Sequence, residues 1–306
     1  SGPVRGRIQV DATYVWPAAC YGDSRVGETE VAVSTTIELH AGDDLVRVTV
    51  ALDNQTRNHR LRAWFPLPEP AATSTAECAF ATVERGLTAE GGPNEEGVPT
   101  FPSRRFVTAG GLTVAHEGLL EYELVDVRSS DTGNDEGAER AHALALTLLR
   151  CTGLLSQVPM RTRMLPAGPI TSIEGPQMAG PHEFRYAVHV GNRDPYAVVD
   201  DAFVPLCAVD DPGGDELVAG MTGQALDITG AEVSAVLRDP SGGLTVRVFN
   251  PSDESVTVTV AGRRGWLTDL RGRPIEPFEE TFELASWAIQ KVQLLDEPGS
   301  RVSPSA

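Results

Sequence analysis

The stretch that decides the fold is EVAVSTTIEL at residues 30–39, followed after five residues by LVRVTVAL at residues 45–52. In an extended chain, one face of the first segment carries Val31, Val33, Thr35, Ile37 and Leu39. One face of the second carries Val46, Val48, Val50 and Leu52. Apolar residues that recur with a period of two predict strands with one face towards a core.

The same alternation extends through most of the chain. It predicts further strands at residues 57–65, 119–127, 143–150, 184–190, 203–209, 232–238, 244–250, 255–261 and 287–294. No amphipathic helix long enough to connect parallel strands is evident. Many short alternating strands separated by Gly, Pro, Asp and Asn predict an all-β fold of antiparallel sheets stacked as sandwiches.

Turn-rich segments predict the domain organisation. The segment DDPGGDELVAG at residues 210–220 has the densest turn signal and places the domain boundary near residues 195–230. We therefore expect a large β-sandwich at residues 1–200 and a smaller one, with a linker and a polar tail, at residues 201–306. Residues 69–105 and the acidic residues 128–140 are predicted to be surface loops. The tail after Leu295 is too polar to pack.

Composition excludes several classes of partner. The 306 residues include 25 basic and 43 acidic side chains, for a formal net charge of −18. Such a surface repels nucleic acid and anionic membranes, and no apolar run approaches the roughly 18–20 residues that span a bilayer. Four cysteines lie far apart without a C-x-x-C pair. We expect them to be reduced, buried thiols, which favours a cytoplasmic location.

The residues reveal no self-contained active site. Glu121 and Glu123 lie two apart on a predicted strand, a spacing that glycoside hydrolysis permits but that any solvated strand face also shows. The six histidines form no H-x-H, H-x-D or H-E-x-x-H motif. No nucleophile motif or phosphate-binding loop is present either.

The densest polar cluster is NQTRNHRLR at residues 54–62. On a strand Arg60 and Arg62 share one face, where their guanidinium groups suit sugar hydroxyls or carboxylates. The alternative is that these arginines pair with acidic neighbours and cover apolar surface. Tryptophans are similarly ambiguous, since they serve either as a stacking platform for sugars or in core or inter-domain packing. They are Trp16, Trp64, Trp266 and Trp287.

Five strings, in the family's order, resemble the C-terminal β-sandwich region of glycoside hydrolase family 38, the α-mannosidases. They are LDNQTRNHRLRAWFP at 52–66, GLLEYEL at 118–124, LALTLLRCTGLLS at 144–156, AGPITSIEGPQMAGPHEFRYAV at 167–188 and LTVRVFNPSDESVTVTV at 244–260. The last string is similar to the family's terminal small sandwich. The subgroup that the chain most resembles is the bacterial one that includes mannosylglycerate hydrolases.

The resemblance implies that the chain is the C-terminal, non-catalytic portion of an enzyme that hydrolyses α-mannosides. The large sandwich is expected to lack the family's first strands, and the chain alone is expected to be inactive. Its partners would be the family's catalytic barrel and helical bundle, which lie N-terminal to these sandwiches. Zinc is expected in that barrel and no cofactor in this chain. The α-mannoside substrate would bind to the barrel, and this chain would contact it only there. The resemblance also allows a homo-oligomer.

Particular residues acquire expected roles from the resemblance. His59, Arg60 and Arg62 are candidates for the edge of the substrate pocket. Turns and inter-domain hydrogen bonds are expected for the residues that fit the family's strings, namely Gly118, Arg150, Gly168, Pro169, Gln177, Gly180 and His182. Gln177 and His182 would satisfy loose backbone groups near a bend. A buried Arg150 would need a carboxylate partner, for which Glu121 and Glu123 are the candidates.

Two other classes of function remain open. A self-standing carbohydrate-binding module predicts a shallow groove with a Trp or Tyr platform and affinity for sugar without another domain. A structural or oligomerising module predicts neither activity nor sugar binding. The α-mannosidase portion predicts instead an exposed apolar patch of several hundred Å2 for docking on the barrel.

Overall fold

The computed structural model describes residues 2–129, 137–157, 160–205, 207, 224, 226–238 and 243–295. The predicted linker at 210–220, residues 130–136 of the predicted acidic loop and the tail beyond Leu295 lie outside the described residues. The chain divides into two compact units. The first unit comprises Ser1–Cys78 and Val83–Pro205, and the second comprises Ala79–Thr82 and Leu206–Ala306.

Fourteen strands lie between residues 5 and 190 of the described chain. In order they are β1 (Arg5–Trp16), β2 (Ala19–Tyr21), β3 (Ser24–Val26), β4 (Thr29–His40), β5 (Leu45–Asn54), β6 (Arg60–Ala71), β7 (Ser74–Cys78), β8 (Ala81–Arg85), β9 (Thr100–Pro102), β10 (Phe106–Ala109), β11 (Leu112–His116), β12 (Glu121–Ser129), β13 (Glu139–Arg150) and β14 (Gly180–Val190). An eight-stranded sheet has the order β1-β4-β5-β14-β11-β10-β7-β8, and a four-stranded sheet has the order β6-β13-β12-β9. The all-β prediction is confirmed.

The core of the first unit lies between these two sheets. Val31 and Val33 of β4 contribute to it from the larger sheet, and Leu144 and Leu146 of β13 contribute from the smaller one. The period of two holds along β13, because its alternate residue Ala145 belongs to a separate cluster on the other face of the sheet. The predicted inward face of β4 fails at its end, where Leu39 is exposed.

Two predictions for this unit were wrong. Residues 69–105, expected to form a loop, contain β7, β8 and β9, whose short strands give too few alternations to stand out from the Pro and Gly around them. The strand expected at 203–209 does not form at its start, because Phe203 ends the helix α1 (Pro195–Phe203). The side chain of Asp194 accepts a hydrogen bond from the N–H of Tyr196 and caps that helix. Residues 206, 208 and 209 lie outside the described residues.

The second unit is one six-stranded antiparallel sheet around its own core. Its strands are β15 (Ile228–Thr229), β16 (Glu232–Arg238), β17 (Leu244–Phe249), β18 (Val256–Thr268), β19 (Pro274–Leu284) and β20 (Ile289–Leu294). β18 bends, because its register with β19 shifts between Thr259 and Arg264. The first part of β18 pairs with β15 and the second part with β20, so the apolar side chains of β17, β18, β19 and β20 meet in one core.

A short segment from far upstream belongs to the second unit. The Phe80 ring contacts Phe249 edge to face at a centroid distance of 5.3 Å, and the guanidinium of Arg247 lies 5.7 Å from the Phe80 ring centroid. The N–H of Thr82 donates to the carbonyl of Pro251 at 3.0 Å. The second unit is therefore completed by residues 79–82.

Helical structure is sparse in the part of the chain that the structure describes. Besides α1 there is one turn of 3-10 helix at Gly175–Gln177. Among these residues no helix has the length and apolar character needed to cross a membrane.

Candidate functional site

Charged side chains form a cross-strand network on the outer face of the four-stranded sheet. Arg60 donates to Glu121 at 3.3 Å and to Glu123 at 2.9 Å. Arg62 donates to Glu123 at 2.7 Å, and Arg150 donates to Glu121 at 2.7 Å. The predicted pairing of arginines with acidic neighbours is confirmed, and Arg150 has the expected partner although its side chain is exposed. Because both carboxylates accept from guanidinium groups, they join strands instead of flanking an open substrate site.

An exposed tryptophan borders this network. Trp64 of β6 is 54% exposed, and the guanidinium carbon of Arg62 lies 5.4 Å from its ring centroid. Trp16 packs against the core of the first unit, whereas Trp266 and Trp287 are exposed in the second unit. Core packing is therefore correct for Trp16 alone, and Trp64 keeps the option of a stacking surface open.

His59 is separated from the two arginines. Its ring contacts that of Trp16 at a centroid distance of 5.9 Å, and its Nδ1 lies 3.1 Å from the hydroxyl oxygen of Thr56. That hydroxyl donates to Oδ1 of Asn54 at 3.1 Å, so it accepts from an Nδ1–H of His59. Burial lowers the pKa of His59, which keeps the ring neutral near pH 7. The role of all three candidates at a substrate edge stays a prediction.

A buried polar network ties the segment 54–59 to the bend at 174–178. Nδ2 of Asn54 donates to the carbonyls of Gln177 and Met178 at 3.0 and 2.9 Å. The Gln177 carboxamide accepts from the N–H of Asn58 at 2.9 Å and donates to Oδ1 of Asn58 at 2.6 Å. Nε2 of His182 donates to the carbonyl of Met178 at 2.7 Å. Gln177 and His182 therefore satisfy backbone groups at a bend, as expected.

A cavity of about 760 Å3 opens beside this network. We call the residues that line its polar part the polar loop cluster, which comprises residues 20–23, 57–58, 151–154 and 177. Gly153 lies so close to Gln177 that a Cβ there would come within 2.5 Å of its Nε2. The volume suits a small-molecule ligand, and the lining supplies guanidinium, carboxamide and hydroxyl groups that bind polyols or carboxylates.

The charged residues that line the cavity belong to two exposed ion pairs. Arg57 donates to Glu174 at 2.8 Å, and the hydrogen bond and charge of Glu174 raise the pKa of Arg57. Arg161 lies 3.7 Å from Asp23. Both pairs are accessible to solvent, so a bound anion or sugar can exchange with the carboxylates.

The cysteines offer no activated nucleophile. Burial raises the pKa of the Cys151 thiol, which lines the cavity, so it stays protonated near pH 7. None of the four cysteines forms a disulfide in the described residues. The expectation of burial holds for Cys151 alone, because Cys20 and Cys78 are half-buried and Cys207 is exposed.

The network makes one substitution informative. We expect Gln177→Leu to lower the free energy of unfolding of the first unit by about 2 kcal/mol, because the N–H and Oδ1 of Asn58 lose their partner. Urea unfolding measures this loss. The control is Gln157→Leu at the same cavity, where the side chain is exposed. Equal stability of the two variants would show that the Gln177 network does not hold the loops.

Part of this site carries a sequence signal that was missed. The N–H of Thr56 donates to Oδ1 of Asn54 at 3.1 Å, a local turn that an Asn followed two residues later by Thr favours. The hairpin of β2 and β3 turns at Gly22, whose positive φ suits a tight turn. Nothing in the sequence indicates that this hairpin and residues 151–154 line the same cavity.

These features describe an all-β chain with a polar cavity formed by loops of its first unit. No protein-family profile matches the chain. By sequence, it is 31% identical over 133 residues to a protein of Halalkalibacterium halodurans named "Putative mannosylglycerate hydrolase", a match that covers 42% of this chain and 13% of that protein.

Two solved structures match almost the whole chain. An α-mannosidase from Enterococcus faecalis V583 matches with a TM-score of 0.67 and 20% identity, over 95% of this chain and 34% of that one. An Enterococcus faecalis protein described as belonging to glycosyl hydrolase family 38 matches with a TM-score of 0.67 and 19% identity, over 95% and 35%. The predicted resemblance to family 38 α-mannosidases is confirmed, and the chain spans about a third of the length of these structures.

Proposed function

We propose that this chain is the non-catalytic β-sandwich portion of a family 38 α-mannosidase and supports a catalytic domain formed by other residues of that enzyme. The observation that carries the proposal is the fold shared over 95% of the chain with about one third of two such structures. The sequence similarity to a protein named for mannosylglycerate hydrolysis supports an α-mannoside as the substrate class. The partners would be the catalytic barrel and helical bundle, and cysteines that form no disulfide among the described residues favour a cytoplasmic location.

We assign the edge of the substrate pocket to the polar loop cluster. Asn58 and Arg57 line its cavity, and the Gln177 network fixes Asn58 so that little entropy is lost when a ligand binds. His59 follows directly and remains a candidate beside them. Arg60 and Arg62 remain candidates on the outer face, where a ligand would have to share them with Glu121 and Glu123. These residues would bind and orient hydroxyl groups.

The zinc ion implied by the resemblance does not fit the described residues. Among them no three His, Cys, Asp or Glu side chains come close enough together to hold a metal ion. In this proposal the zinc ion belongs to the catalytic barrel.

The proposal is tested by an aryl α-mannoside assay of the purified chain, with and without added zinc, beside calorimetric titration with mannose. We expect neither turnover nor binding. Turnover at a rate above a boiled sample would overturn the proposal, and the search for catalytic groups would begin with Glu121→Gln and Glu123→Gln. In a longer gene product containing this chain, Arg57→Met is expected to raise KM several-fold with kcat little changed.

A carbohydrate-binding surface is the second candidate, favoured by the exposed ring of Trp64. A sugar stacking on that ring, beside the Arg62 guanidinium, would give measurable affinity without another domain. Trp64→Ala would abolish mannose binding in calorimetry. Trp287→Ala, which removes a similarly exposed ring from the second unit, is the matched control.

A further inference from the structure

The cavity at the polar loop cluster is lined by hydrogen-bond donors that the described residues do not use. Arg57 donates to Glu174 through Nη2, and its Nε and Nη1 groups have no acceptor among the described residues. A guanidinium group carries five N–H donors and no acceptor, so most donors of Arg57 remain for a ligand. Glu174 is 70% exposed, and an ion pair this accessible to solvent opens at little cost.

The orientation of the Asn58 carboxamide is fixed by Gln177. The backbone N–H of Asn58 can only donate, so the Gln177 atom that faces it at 2.9 Å is Oε1. Nε2 of Gln177 must then donate to Oδ1 of Asn58, which lies 2.6 Å away. The two N–H groups on Nδ2 of Asn58 have no acceptor among the described residues. Because Asn58 lines the cavity, these N–H groups are available to a molecule bound there.

A further unused donor belongs to a buried side chain. Gln177 is only 2% exposed, and it lines the cavity. Its Nε2 carries two N–H groups, of which one donates to Asn58 and the other has no acceptor among the described residues. A buried N–H without an acceptor is unfavourable. A ligand in the cavity that supplies an acceptor would remove this cost.

Charge at the cavity favours an anionic ligand. The lining residues include two arginines, Arg57 and Arg161, and one carboxylate, Asp23, which is 97% exposed. The lining is therefore positive in a chain whose formal net charge is −18. An ionised carboxylate only accepts hydrogen bonds, and its bonds to a guanidinium group are shorter and stronger than those of a neutral acceptor.

We propose that the polar loop cluster binds a sugar acid, whose carboxylate accepts hydrogen bonds from Arg57, Asn58 and Gln177. The hydroxyl groups of the acid donate to Asp23 and Ser172, which also line the cavity. The cavity volume of about 760 Å3 lies within the range of small-molecule sites. The inference deepens the proposed function, on which it rests only where it makes this acid part of the substrate.

Calorimetric titration of the purified chain with D-mannuronate, beside D-mannose, tests the proposal. The two sugars differ only at C6, where one carries a carboxylate and the other a hydroxymethyl group. We expect D-mannuronate to bind with a dissociation constant of about 1 mM or below, and D-mannose not to bind at the same concentrations. Absence of D-mannuronate binding, or equal titration curves for the two sugars, would overturn the proposal.

Removal of a competing carboxylate should strengthen binding. Glu174 occupies part of the Arg57 guanidinium, so Glu174→Gln frees that group and is expected to tighten D-mannuronate binding several-fold. Glu30→Gln is the matched control, because it removes the same charge from an exposed position that does not line the cavity. The same affinity in the two variants would show that the ligand does not use Arg57, which contradicts the proposal.

Asn58→Asp replaces the donor end of the carboxamide by an acceptor. One carboxylate oxygen can still accept from Gln177, and Asp also tolerates the positive φ of this position. The other oxygen would repel the ligand carboxylate, so we expect D-mannuronate binding to be lost while circular dichroism stays that of the wild-type chain. Gln55→Glu adds the same charge on an exposed neighbour outside the cavity lining and should keep binding.

A second variant keeps the test valid if Asn58→Asp does not fold. Arg57→Met changes a side chain that is 44% exposed, and it should also abolish D-mannuronate binding. Retained binding in a folded Asn58→Asp chain or in Arg57→Met would overturn the inference.

The inference and the proposed function fail in different experiments. Turnover of an aryl α-mannoside by the purified chain would overturn the proposed function, whereas the binding of D-mannuronate would still support the sugar-acid site. Failure of D-mannuronate to bind would overturn the inference. It would leave the fold shared with two α-mannosidase structures, which carries the proposed function, unaffected.

Discussion

Arg105→Met is expected to lower the free energy of unfolding of the first unit by about 3–5 kcal/mol, because it leaves the carboxylate of Glu77 buried with too little compensation. Glu77 is fully buried in β7. Arg105 donates to it from Nε at 2.8 Å and from Nη2 at 2.6 Å, whereas Arg104 contributes one longer bond of 3.2 Å. Methionine keeps most of the apolar stem of Arg105, so the loss of stability measures the removal of the guanidinium charge.

A second substitution separates charge from packing. The double variant E77L/R105M removes both buried charges and should recover most of the stability, because apolar residues often replace a buried ion pair without loss. Arg128→Met breaks the exposed pair with Asp126 and should change little. Urea unfolding measures all three variants. A double variant as unstable as Arg105→Met would mean that packing of Arg105 against Tyr196, at 5.5 Å from the ring centroid, carries the effect.

Acid is expected to destabilise the first unit by about 3 kcal/mol between pH 6.5 and pH 4 through His116. Burial lowers the pKa of His116 to about 4. In the unfolded chain His116 binds a proton near pH 6.5, whereas in the folded chain it binds one only near pH 4. The contribution of His116 is therefore fully present above pH 6.5, falls as the pH drops, and levels off below pH 4.

The hydrogen bonds of His116 explain why its neutral form is preferred. The hydroxyl of Ser103 donates to the carbonyl of Phe106 at 2.7 Å, so it accepts from Nε2–H of His116 at 2.9 Å. Nδ1 is buried and has no partner among the described residues, so protonation there creates a buried, unpaired charge.

Comparison of His116→Gln with the wild-type chain isolates this histidine, because other groups titrate equally in both. Unfolding by urea at pH 7 and pH 4.5 should show a much smaller loss of stability for His116→Gln. An identical pH dependence in the two chains would rule out His116 as the cause.

The fold was predictable wherever long strands alternate strictly. β4 and β5 follow the pattern of the sequence in part, because Val31 and Val33 of β4 and Val50 and Leu52 of β5 are buried, whereas the end of β4 is exposed at Leu39. β1 was missed although its apolar residues alternate. Both of its faces are largely exposed, so the alternation does not reflect burial of one face in a core. β7, β9 and α1 are short, and their formation depends on tertiary partners such as the Glu77 ion pairs.

The candidate site was predictable residue by residue but not as an assembly. The turn residues around Gln177 indicated a bend, and a polar side chain that satisfies backbone groups was the expected outcome. The hydrogen bonds between the side chain of Gln177 and Asn58 join residues 119 positions apart. A side chain at position 153 would collide with the Gln177 carboxamide, so these bonds require Gly153. Such long-range contacts leave no periodic signal in a single sequence.

The place of residues 79–82 in the second unit affects the order in which that unit is synthesised and the exchange of gene segments that encode it. Phe80 and Thr82 are synthesised well before β15, so this part of the second unit emerges from the ribosome before the residues that it contacts. A gene fragment starting after residue 205 would encode a second unit without the Phe80 ring against Phe249. Recombination that exchanges whole modules at that boundary would therefore leave the second unit without the contacts of Phe80 and Thr82.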